Sequence, residues 1–291
     1  MTIKIAIASG KGGTGKTLVA TNIFHTLLSK NEDVLLIDCD AEAPNAVAFF
    51  KTKKTGSTEV TMMVPEIDTG KCTYCGKCHD YCNYNAIFII PPMKIIKVIE
   101  DLCHGCGACS VACEYDAISE KSVSLGYVTT FDINGRRRII ESRMNTGKMS
   151  PVPVIQAAIK LAEDSYSFII FDSPPGTSCP FIQTVARADY VILVTEPTPF
   201  GLSDLRQSID TLRKINKQCG VIINRSGLGN NDVREYLGRE HIPVLMEIPF
   251  SRQIAGIYSQ GEIVSVTIPS LGDDLYLLVR NITDNYGNSS N

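Results

Sequence analysis

Long hydrophobic runs are absent from this sequence of 291 residues. No apolar stretch approaches the roughly 18 residues that a membrane-spanning helix needs. The first residues enter a strand pattern directly, without the charged and apolar regions of a signal peptide. We therefore expect a cytoplasmic protein without a membrane anchor.

An excess of charge of either sign is also missing. The 28 lysines and arginines nearly balance 31 aspartates and glutamates, which gives a formal net charge of −3. Proteins that bind nucleic acid through their surface are usually much more basic, so we expect no nucleic-acid partner. The length allows one large domain, or one domain together with a smaller one.

Cysteine, in contrast, is abundant. The chain has eleven cysteines, and eight of them lie between Cys72 and Cys113. In a reducing cytoplasm such clustering indicates metal binding rather than disulfide bonds.

A glycine-rich stretch, GKGGTGKT at positions 10–17, follows an apolar strand pattern (residues 3–8) and precedes a helical pattern (residues 18–28). This order of strand, turn and helix is the context that a phosphate-binding P-loop requires. Its glycines let backbone N–H groups converge on phosphates, and the helix N-terminus adds positive potential. Lys16 is predicted to reach the β- and γ-phosphates, and Thr17 to bind Mg²⁺. The predicted nucleotide contacts here are Gly10, Lys11, Gly12, Gly13, Thr14, Gly15, Lys16 and Thr17.

Three aspartates follow predicted strands beside this loop. Asp38 and Asp40 come after the apolar run 33–37, and Asp172 comes after the run 168–171. We assign Asp38 to the water shell of the metal and Asp40 to positioning or activating the attacking water; these two roles are interchangeable on the sequence. The alternative is a pair of solvated turn acids. Asp172 fits the Walker B pattern and is expected to meet Mg²⁺ through water.

Together, GKGGTGKT and LLIDCDAEAPN resemble the deviant Walker motifs of MinD, ParA, the Mrp-type iron–sulfur carriers and the nitrogenase iron protein. The resemblance covers residues 1–50 and about 150–285. It implies an α/β fold, with a mostly parallel sheet and helices on both faces, and a dimer that sandwiches nucleotide. That dimer is a homodimer or a heterodimer with a paralogue, and in it Lys11 crosses the interface to the partner's phosphates.

The same resemblance implies further roles. Gly176 is the switch-loop glycine whose N–H senses the γ-phosphate. Asn224 contacts the adenine edge and Arg225 stacks on the base, although Arg225 could also be an ordinary helix-terminal charge. Pro249-Phe250 begins a loop on the nucleotide side. Unlike MinD, the chain has no basic amphipathic helix at its C-terminus, which again argues against a membrane anchor.

Three cysteines lie outside the clustered region. Cys179 is in register with a cluster ligand of the nitrogenase iron protein. The second cysteine of that protein and the C-x2-C pair of the Mrp-type carriers are both missing, so we expect Cys179 to be unliganded. Cys39 and Cys219 are expected to be small core residues.

The clustered cysteines form two copies of one spacing, C-x2-C-x2-C-x3-C, about thirty residues apart. This resembles a bacterial-type ferredoxin with two 4Fe-4S clusters, in which the fourth cysteine of each run ligates the other cluster. The first cluster would be held by Cys72, Cys75, Cys78 and Cys113. The second would be held by Cys103, Cys106, Cys109 and Cys82.

The usual proline after the fourth cysteine is replaced by Asn83 and Glu114, which removes no ligand but can change the potential. Two zinc sites are the rival interpretation, but these usually have separated C-x2-C pairs. We expect Tyr74 and Tyr81 to pack over the clusters. The predicted domains are an inserted ferredoxin-like α+β domain at 58–120 and a discontinuous P-loop ATPase domain at 1–57 and 121–291.

Two local elements are predicted after the insert. The segment 123–140 alternates around Asn134-Gly135, which is a hairpin signal. Ser150-Pro151 is a typical start for a helix that runs to about Glu163, with Ser150 as its N-cap.

These observations lead to one functional hypothesis and two alternatives. The first is a Mg²⁺-dependent ATPase that binds ATP and ADP, and whose nucleotide-switched dimer couples ATP to electron transfer through two 4Fe-4S clusters and an unidentified redox partner protein. The second is an iron–sulfur cluster carrier or assembly ATPase. The third is a MinD/ParA-like regulatory ATPase with a redox-sensing ferredoxin module.

Overall fold

The computed structural model describes residues 2–162 and 166–289. The strands are β1 (Ile3–Ala8), β2 (Val34–Asp38), β3 (Lys53–Ile67), β4 (Ile87–Ile90), β5 (Ile95–Val98), β6 (Ile118–Ile133), β7 (Arg136–Met144), β8 (Phe168–Asp172), β9 (Tyr190–Thr195), β10 (Cys219–Ser226) and β11 (Val244–Pro249). The helices are α1 (Lys16–Ser29), α2 (Lys77–Asp80), α3 (Ala108–Ala112), α4 (Val152–Lys160), α5 (Cys179–Val185), α6 (Pro199–Lys214), α7 (Asp232–Arg239), α8 (Arg252–Ser259), α9 (Val264–Thr267) and α10 (Pro269–Ser289).

In the described part of the chain, nine strands form one sheet in the order β11-β10-β9-β1-β8-β2-β7-β6-β3. The strands from β11 to β7 pair in parallel, and β6 and β3 are added antiparallel at one edge. The prediction of an α/β fold with a mostly parallel sheet is confirmed.

Helices cover both faces of this sheet. Because side chains alternate along a strand, β1 sends Ile3, Ile5 and Ile7 to one face and Ala6 and Ala8 to the other. Helices α1, α9 and α10 close the first face, and α4 to α7 close the second. The central parallel strands β1, β2, β8 and β9 are thus buried on both sides, which explains their continuous apolar runs in the sequence.

Strands β3 and β6 form a long antiparallel ribbon that extends from the sheet. Their pairing runs from Lys53 opposite Asp132 to Ile67 opposite Ile118. Both predicted domain boundaries, 57/58 and 120/121, fall inside these strands. The sequence analysis did not predict β3, because its first half is polar and exposed and lacks the apolar run that marks the other strands.

Beyond the ribbon, the chain between β3 and β6 forms a small α+β unit. It contains the short helices α2 and α3, and β4 pairs antiparallel with β5. Ile87, on β4, is buried there together with Cys78 and Cys109. The cysteine-rich segment therefore has a small core of its own.

The hairpin predicted around Asn134-Gly135 is present as β6 and β7. Both turn residues have positive φ, 53° and 79°, as the tight turns that match strand twist require. The arginine run that follows the turn is held by the body of the domain, because Arg136 and Arg138 both pair with Asp33 at 2.6 and 2.5 Å.

The predicted helix after Ser150-Pro151 is α4, which begins at Val152. Ser150 is not its cap, because the capping position belongs to Pro151 and no side-chain cap is made there. The predicted end, Glu163, lies outside the described residues. In the part of the chain that the structure covers, no helix has the length and apolarity that crossing a membrane requires.

Candidate functional site

The glycine-rich loop joins β1 to α1 and has the backbone that its sequence demands. Gly13 and Gly15 have φ of 80° and 101°, which L side chains rarely adopt. A Cβ on Gly15 would also collide with the amide of Asn224. Helix α1 begins at Lys16, so its free N–H groups and its positive dipole end face the loop.

This loop forms one wall of a cleft of about 440 Å³, a size within the range of small-molecule sites. Its opposite wall comes from the segment after β11 and from α8. The cleft is lined by Gly12, Gly13, Gly15, Lys16, Thr17, Leu18, Asp40, Ala43, Asn45, Pro175, Asn224, Arg225, Pro249, Phe250, Ser251, Ile254, Ala255 and Tyr258.

Tyr258 and Ile254 are cleft residues that the sequence analysis missed, whereas Pro249 and Phe250 were expected. Tyr258 stacks on Phe49, with ring centroids 5.0 Å apart. Burial raises the pKa of its phenol, and the nearby hydroxyl of Thr17 lowers it. The only signal for these residues is the amphipathic pattern of a short helix, which does not reveal which groove that helix borders.

Asp172 ends β8 at the centre of the sheet, and its side chain is fully buried. Within the described residues, neither of its carboxylate oxygens accepts a hydrogen bond of good geometry. Burial raises the pKa of Asp172 to about 7, opposed by the Thr17 hydroxyl and by Lys16. A buried carboxylate with two unused oxygens beside a hydroxyl fits a divalent cation, so Asp172 and Thr17 are the residues that would hold Mg²⁺.

Lys16 lies in the same cleft and is almost completely buried. Burial lowers the pKa of its ammonium group, while Asp172 and Asp40 raise it. Its position between the glycine-rich loop and the carboxylates suits a cation that neutralises phosphate oxygens.

Asp38 and Asp40 occupy different surroundings. Asp40 lines the cleft, whereas Asp38 is buried behind it and accepts three backbone N–H groups, from Asp40 at 3.1 Å and from Asn45 and Ala46 at 2.9 Å. Burial and the neighbouring Asp172 raise the pKa of Asp38, against the effect of these hydrogen bonds. The geometry gives Asp38 the task of shaping the loop after β2 and leaves Asp40 as the member of the pair that faces the cleft.

Asn224 braces the glycine-rich loop. Its Nδ2 donates to the carbonyl of Thr14 at 2.8 Å, and its Oδ1 accepts from the N–H of Arg225 at 2.9 Å. Asn224 also lines the cleft, and its expected contact with a base edge stays a prediction. Arg225 does line the cleft, and its guanidinium pairs with Glu196.

Lys11 and Gly176 both have partners within the chain. The ammonium of Lys11 lies 3.4 Å from Oε2 of Glu196, and Lys11 is not among the residues that line the cleft. The N–H of Gly176 donates to the carbonyl of Ser9 at 3.1 Å. The loop after Asp172 is therefore tied to the glycine-rich loop in this structure.

The eight clustered cysteines line two small cavities in the described part of the insert, and the fourth cysteine of each run lies with the other run. One cavity is lined by Cys72, Cys75, Cys78 and Cys113. The other is lined by Cys82, Cys103, Cys106 and Cys109. These are the two groups that the resemblance to ferredoxins implies.

The two cysteine runs resemble each other in backbone conformation as well as in cysteine spacing. Tyr74 and Gly105 occupy matching positions, both with positive φ, and each donates its N–H to the sulfur of the first cysteine of its run at 3.4 Å. Gly76 and Gly107 then turn the chain into α2 and α3. N–H groups directed at sulfur stabilise the thiolates that bind iron.

Each cavity offers four thiols, which is the donor set that a 4Fe-4S cluster takes. All eleven cysteines lie in the described part of the chain and are free thiols. Among the described residues, no three His, Cys, Asp or Glu side chains lie close enough together to bind one metal ion. Four thiolates on one zinc would lie about 3.8 Å apart, because each Zn–S bond is about 2.3 Å long. A cluster separates its four ligands further, since its own irons lie between them.

The aromatic residues near the cysteines differ from those expected. Tyr81 is 61 % exposed and lines neither cavity. Tyr115 lines the first cavity and Tyr84 the second, where the Tyr84 ring stacks on His104 at 3.8 Å between centroids. Of the outlying cysteines, Cys39 is buried and Cys179 is exposed.

The second cysteine cavity borders the larger domain. Cys103 and His104 face a groove whose other side includes Met149 and Pro153, at the start of α4. A Cβ on Gly105 would collide with Met62, which itself packs against the main core. The first cavity has no such contact with α4 among its lining residues.

Relatives with known sequences were compared with the chain. It matches the family described as CobQ/CobB/MinD/ParA nucleotide binding domain over residues 5–264. It is 32% identical over 260 residues to an uncharacterised protein of Methanocaldococcus jannaschii, MJ0579, covering 89% of this chain and 90% of that protein. It is 26% identical over 255 residues to a protein of Rickettsia conorii named iron-sulfur cluster carrier protein, covering 86% of this chain and 62% of that one.

Solved structures share the fold at lower sequence identity. The cell division ATPase MinD of Pyrococcus furiosus superposes with a TM-score of 0.58 at 18% identity, covering 97% of this chain and all of that one. MinD of Pyrococcus horikoshii in complex with Mg-ADP gives a TM-score of 0.56 at 19% identity, covering 97% and 96% of the two chains. At these identities the likeness concerns the fold alone.

The raised pKa of Asp172 predicts pH-dependent metal binding. Only the ionised carboxylate binds Mg²⁺, so the affinity for Mg²⁺ should be nearly constant above about pH 8 and should fall as protons compete below it. We expect Mg²⁺-dependent affinity for ATP, measured by calorimetry, to drop about tenfold from pH 8 to pH 6. Asp172→Asn should remove this pH dependence together with most of the Mg²⁺ effect, and nucleotide binding without Mg²⁺ is the control. An unchanged pH profile in Asp172→Asn would contradict the assignment.

Proposed function

The chain belongs to the family of CobQ/CobB/MinD/ParA nucleotide-binding domains, and from this premise we propose that it is a Mg²⁺-dependent ATPase that couples ATP to electron transfer through two 4Fe-4S clusters. In this proposal residues 58–120 form the ferredoxin-like domain, and residues 1–57 and 121–291 form the ATPase domain. Two copies of the chain, or this chain and a paralogue, close around ATP.

The proposal gives each part of the cleft a role in hydrolysis. The N–H groups of the glycine-rich loop and Lys16 would hold the phosphates, while Thr17 and Asp172 would bind the metal directly or through water. Asp40 would orient the attacking water, since it faces the cleft. Arg225, Phe250 and Tyr258 would enclose the base between aromatic and cationic surfaces.

The proposed coupling is supported by one observation above all: hydrogen bonds run from the segment after Asp40 to the end of β7, and from there to β6, which leads to the insert. The carbonyl of Ala41, next to Asp40, accepts the N–H of Met144 at 2.8 Å, and Asn145 donates to Leu125 on β6 at 2.8 Å. Strand β6 then continues to Ile118, at the first cysteine cavity.

A second connection leads from the loop after Asp172 to the second cysteine cavity. That loop enters α5, and α5 packs on α4, where the amides of Gln156 and Gln183 bond at 2.9 Å. The start of α4 borders the groove beside Cys103. Clusters held in the two cavities would supply one-electron transfer, and these two connections would link both cavities to the cleft.

A cluster carrier is the second candidate, because relatives in Rickettsia bear that name. The arrangement of thiols argues against it. Each cavity has a full set of four cysteines, and Cys78 and Cys109 are buried. A cluster held in this way lacks the open ligand position that transfer to an acceptor needs. Transfer of iron and sulfide to an apo-ferredoxin, measured by the acceptor's absorbance, would favour the carrier.

The two loop lysines should separate binding from dimerisation. Lys16→Ala removes the charge that meets the phosphates, and we expect ATP binding to fall at least 100-fold. Lys11→Ala should retain ATP binding but lose hydrolysis and ATP-dependent dimerisation, because Lys11 would act on the nucleotide of the partner. Calorimetry, phosphate release and analytical ultracentrifugation measure the three quantities. Normal dimerisation of Lys11→Ala would contradict the role across the interface.

Paired cysteine variants test the crossed ligand sets. Cys78→Ser/Cys113→Ser alters only the first set, so the protein purified without oxygen should keep about half of its iron and one 4Fe-4S signal. Cys78→Ser/Cys109→Ser alters both sets and should lose both clusters. If each run of four held its own cluster, the first variant would lose both signals as well. Iron analysis and EPR decide between the two schemes.

Coupling itself is tested by a redox titration. We expect the potential or the EPR spectrum of at least one cluster to change when ATP and Mg²⁺ are added to the wild type, and to stay unchanged in Lys16→Ala. Identical titrations of the wild type with and without nucleotide would favour a regulatory or carrier ATPase with an electronically independent ferredoxin module.

A further inference from the structure

One carboxylate holds two cations beside the nucleotide cleft. Glu196 directly follows β9, and its side chain is only 10% exposed. It pairs with Lys11 at 3.4 Å through Oε2 and with the guanidinium of Arg225 through Oε1. The two cations are more exposed than the carboxylate, at 31% and 49%. The sequence analysis gave Glu196 no role, because a glutamate after a strand carries no motif.

The backbone around Glu196 is held in place. Its carbonyl accepts the N–H of Thr198 at 2.8 Å, and Gly201 packs so closely on that carbonyl that a Cβ would collide with it. Thr198 in turn caps α6 by accepting the N–H of Gly201 at 3.0 Å. The backbone position from which the Glu196 carboxylate extends is therefore fixed, whereas Lys11 is a long, flexible side chain on a loop.

We propose that Glu196 is a positioning residue that holds Lys11 on its own subunit and releases it when a second, nucleotide-loaded copy binds. This inference rests on the proposed function, in which Lys11 acts on the partner's phosphates. A lysine held by Glu196 cannot reach across an interface, so closure of the dimer must break this ion pair. The free energy of the Lys11–Glu196 ion pair thereby opposes closure of the dimer, and we call this opposition the threshold.

Arg225 makes such a release physically reasonable. A nearly buried carboxylate that lost its only cation would be strongly destabilised. Since Arg225 pairs with the other oxygen, Glu196 keeps one partner after Lys11 leaves. The guanidinium of Arg225 also borders the cleft, which places this ion-pair network directly beside bound nucleotide.

The size of the threshold follows from the exposure of the pair. Partly exposed ion pairs change equilibria by up to about fivefold. Each protomer of a dimer releases one Lys11, so removing the pair should tighten ATP-dependent dimerisation about four- to 25-fold.

The first test uses the free protein and needs no dimer. Glu196→Gln keeps the shape of the side chain and removes its charge. We expect acetic anhydride to label Lys11 two- to fivefold faster in Glu196→Gln than in the wild type, by mass spectrometry, because the freed ammonium no longer has to leave a partner. Lys214 should react equally in both proteins. Equal labelling of Lys11 would overturn the proposal.

The second test measures dimerisation by analytical ultracentrifugation with Mg²⁺ and a non-hydrolysable ATP analogue. Glu196→Gln should dimerise about four- to 25-fold more tightly than the wild type, and Lys11→Ala/Glu196→Gln should behave as Lys11→Ala does. The matched control is Glu240→Gln, which removes the surface pair with Arg213 and should change nothing. If Lys11→Ala/Glu196→Gln dimerised more tightly than Lys11→Ala, the effect of Glu196 would not depend on Lys11, and this would also overturn the proposal.

The two tests distinguish failure of the proposed dimer from failure of the Lys11–Glu196 threshold. A wild type that stays monomeric with the analogue contradicts the proposed dimer, while faster labelling of Lys11 in Glu196→Gln still supports the ion pair as the group that holds it. A wild type that dimerises no less tightly than Glu196→Gln contradicts the threshold and leaves the proposed function intact. Matching melting curves for wild type and Glu196→Gln would show that folding is unaffected.

Discussion

The cleft depends on a buried carboxylate that the protein does not neutralise. Asp172 lies at the end of a central strand, and neither of its oxygens has a good hydrogen bond from the described residues. Such a group is costly to bury, and in this fold it is surrounded by groups that offset the cost, namely Lys16 and the hydroxyl of Thr17. The glycine-rich loop, the strand order and the start of α1 together bring these groups to the carboxyl ends of the central strands.

The antiparallel edge of the same sheet explains how a second module is attached without a flexible linker. Strands β3 and β6 pair over their whole length, so the cysteine-rich unit extends from the sheet itself. Paired strands transmit displacement better than a linker, because each ladder hydrogen bond fixes the register of the next. The loop that carries Asp40 is bonded to β7, whose neighbour β6 leads to the cysteines. This continuity supports the proposed coupling, which the mere fusion of two modules would not imply.

Ion pairs and hydrogen bonds near the cleft join several of the predicted site residues to other parts of the chain. Lys11 is held by Glu196, and the N–H of Gly176 is bonded to Ser9. Asp38, which was predicted from its position in the chain to lie at the metal's water shell, accepts three N–H groups of the following loop. The structure thus separates Asp38, which lies behind the cleft and shapes the loop after β2, from residues that face the cleft, such as Asp40 and Lys16.

The sequence by itself determined the features that depend on near neighbours in the chain: the glycine-rich loop, most parallel strands, the Asn134-Gly135 turn and the repeated cysteine spacing. These are specified by backbone freedom and by the period of apolar residues, which can be read over a few positions. The tertiary structure decided the polar strand β3, the partners of Asp38, Asn224 and Lys11, and the place of Tyr258 in the cleft. Apart from the partners of Asp38, which lie two to eight residues along the chain, each of these depends on a group far away in the sequence. The energy of such a contact comes from burial and charge that only the folded chain brings together.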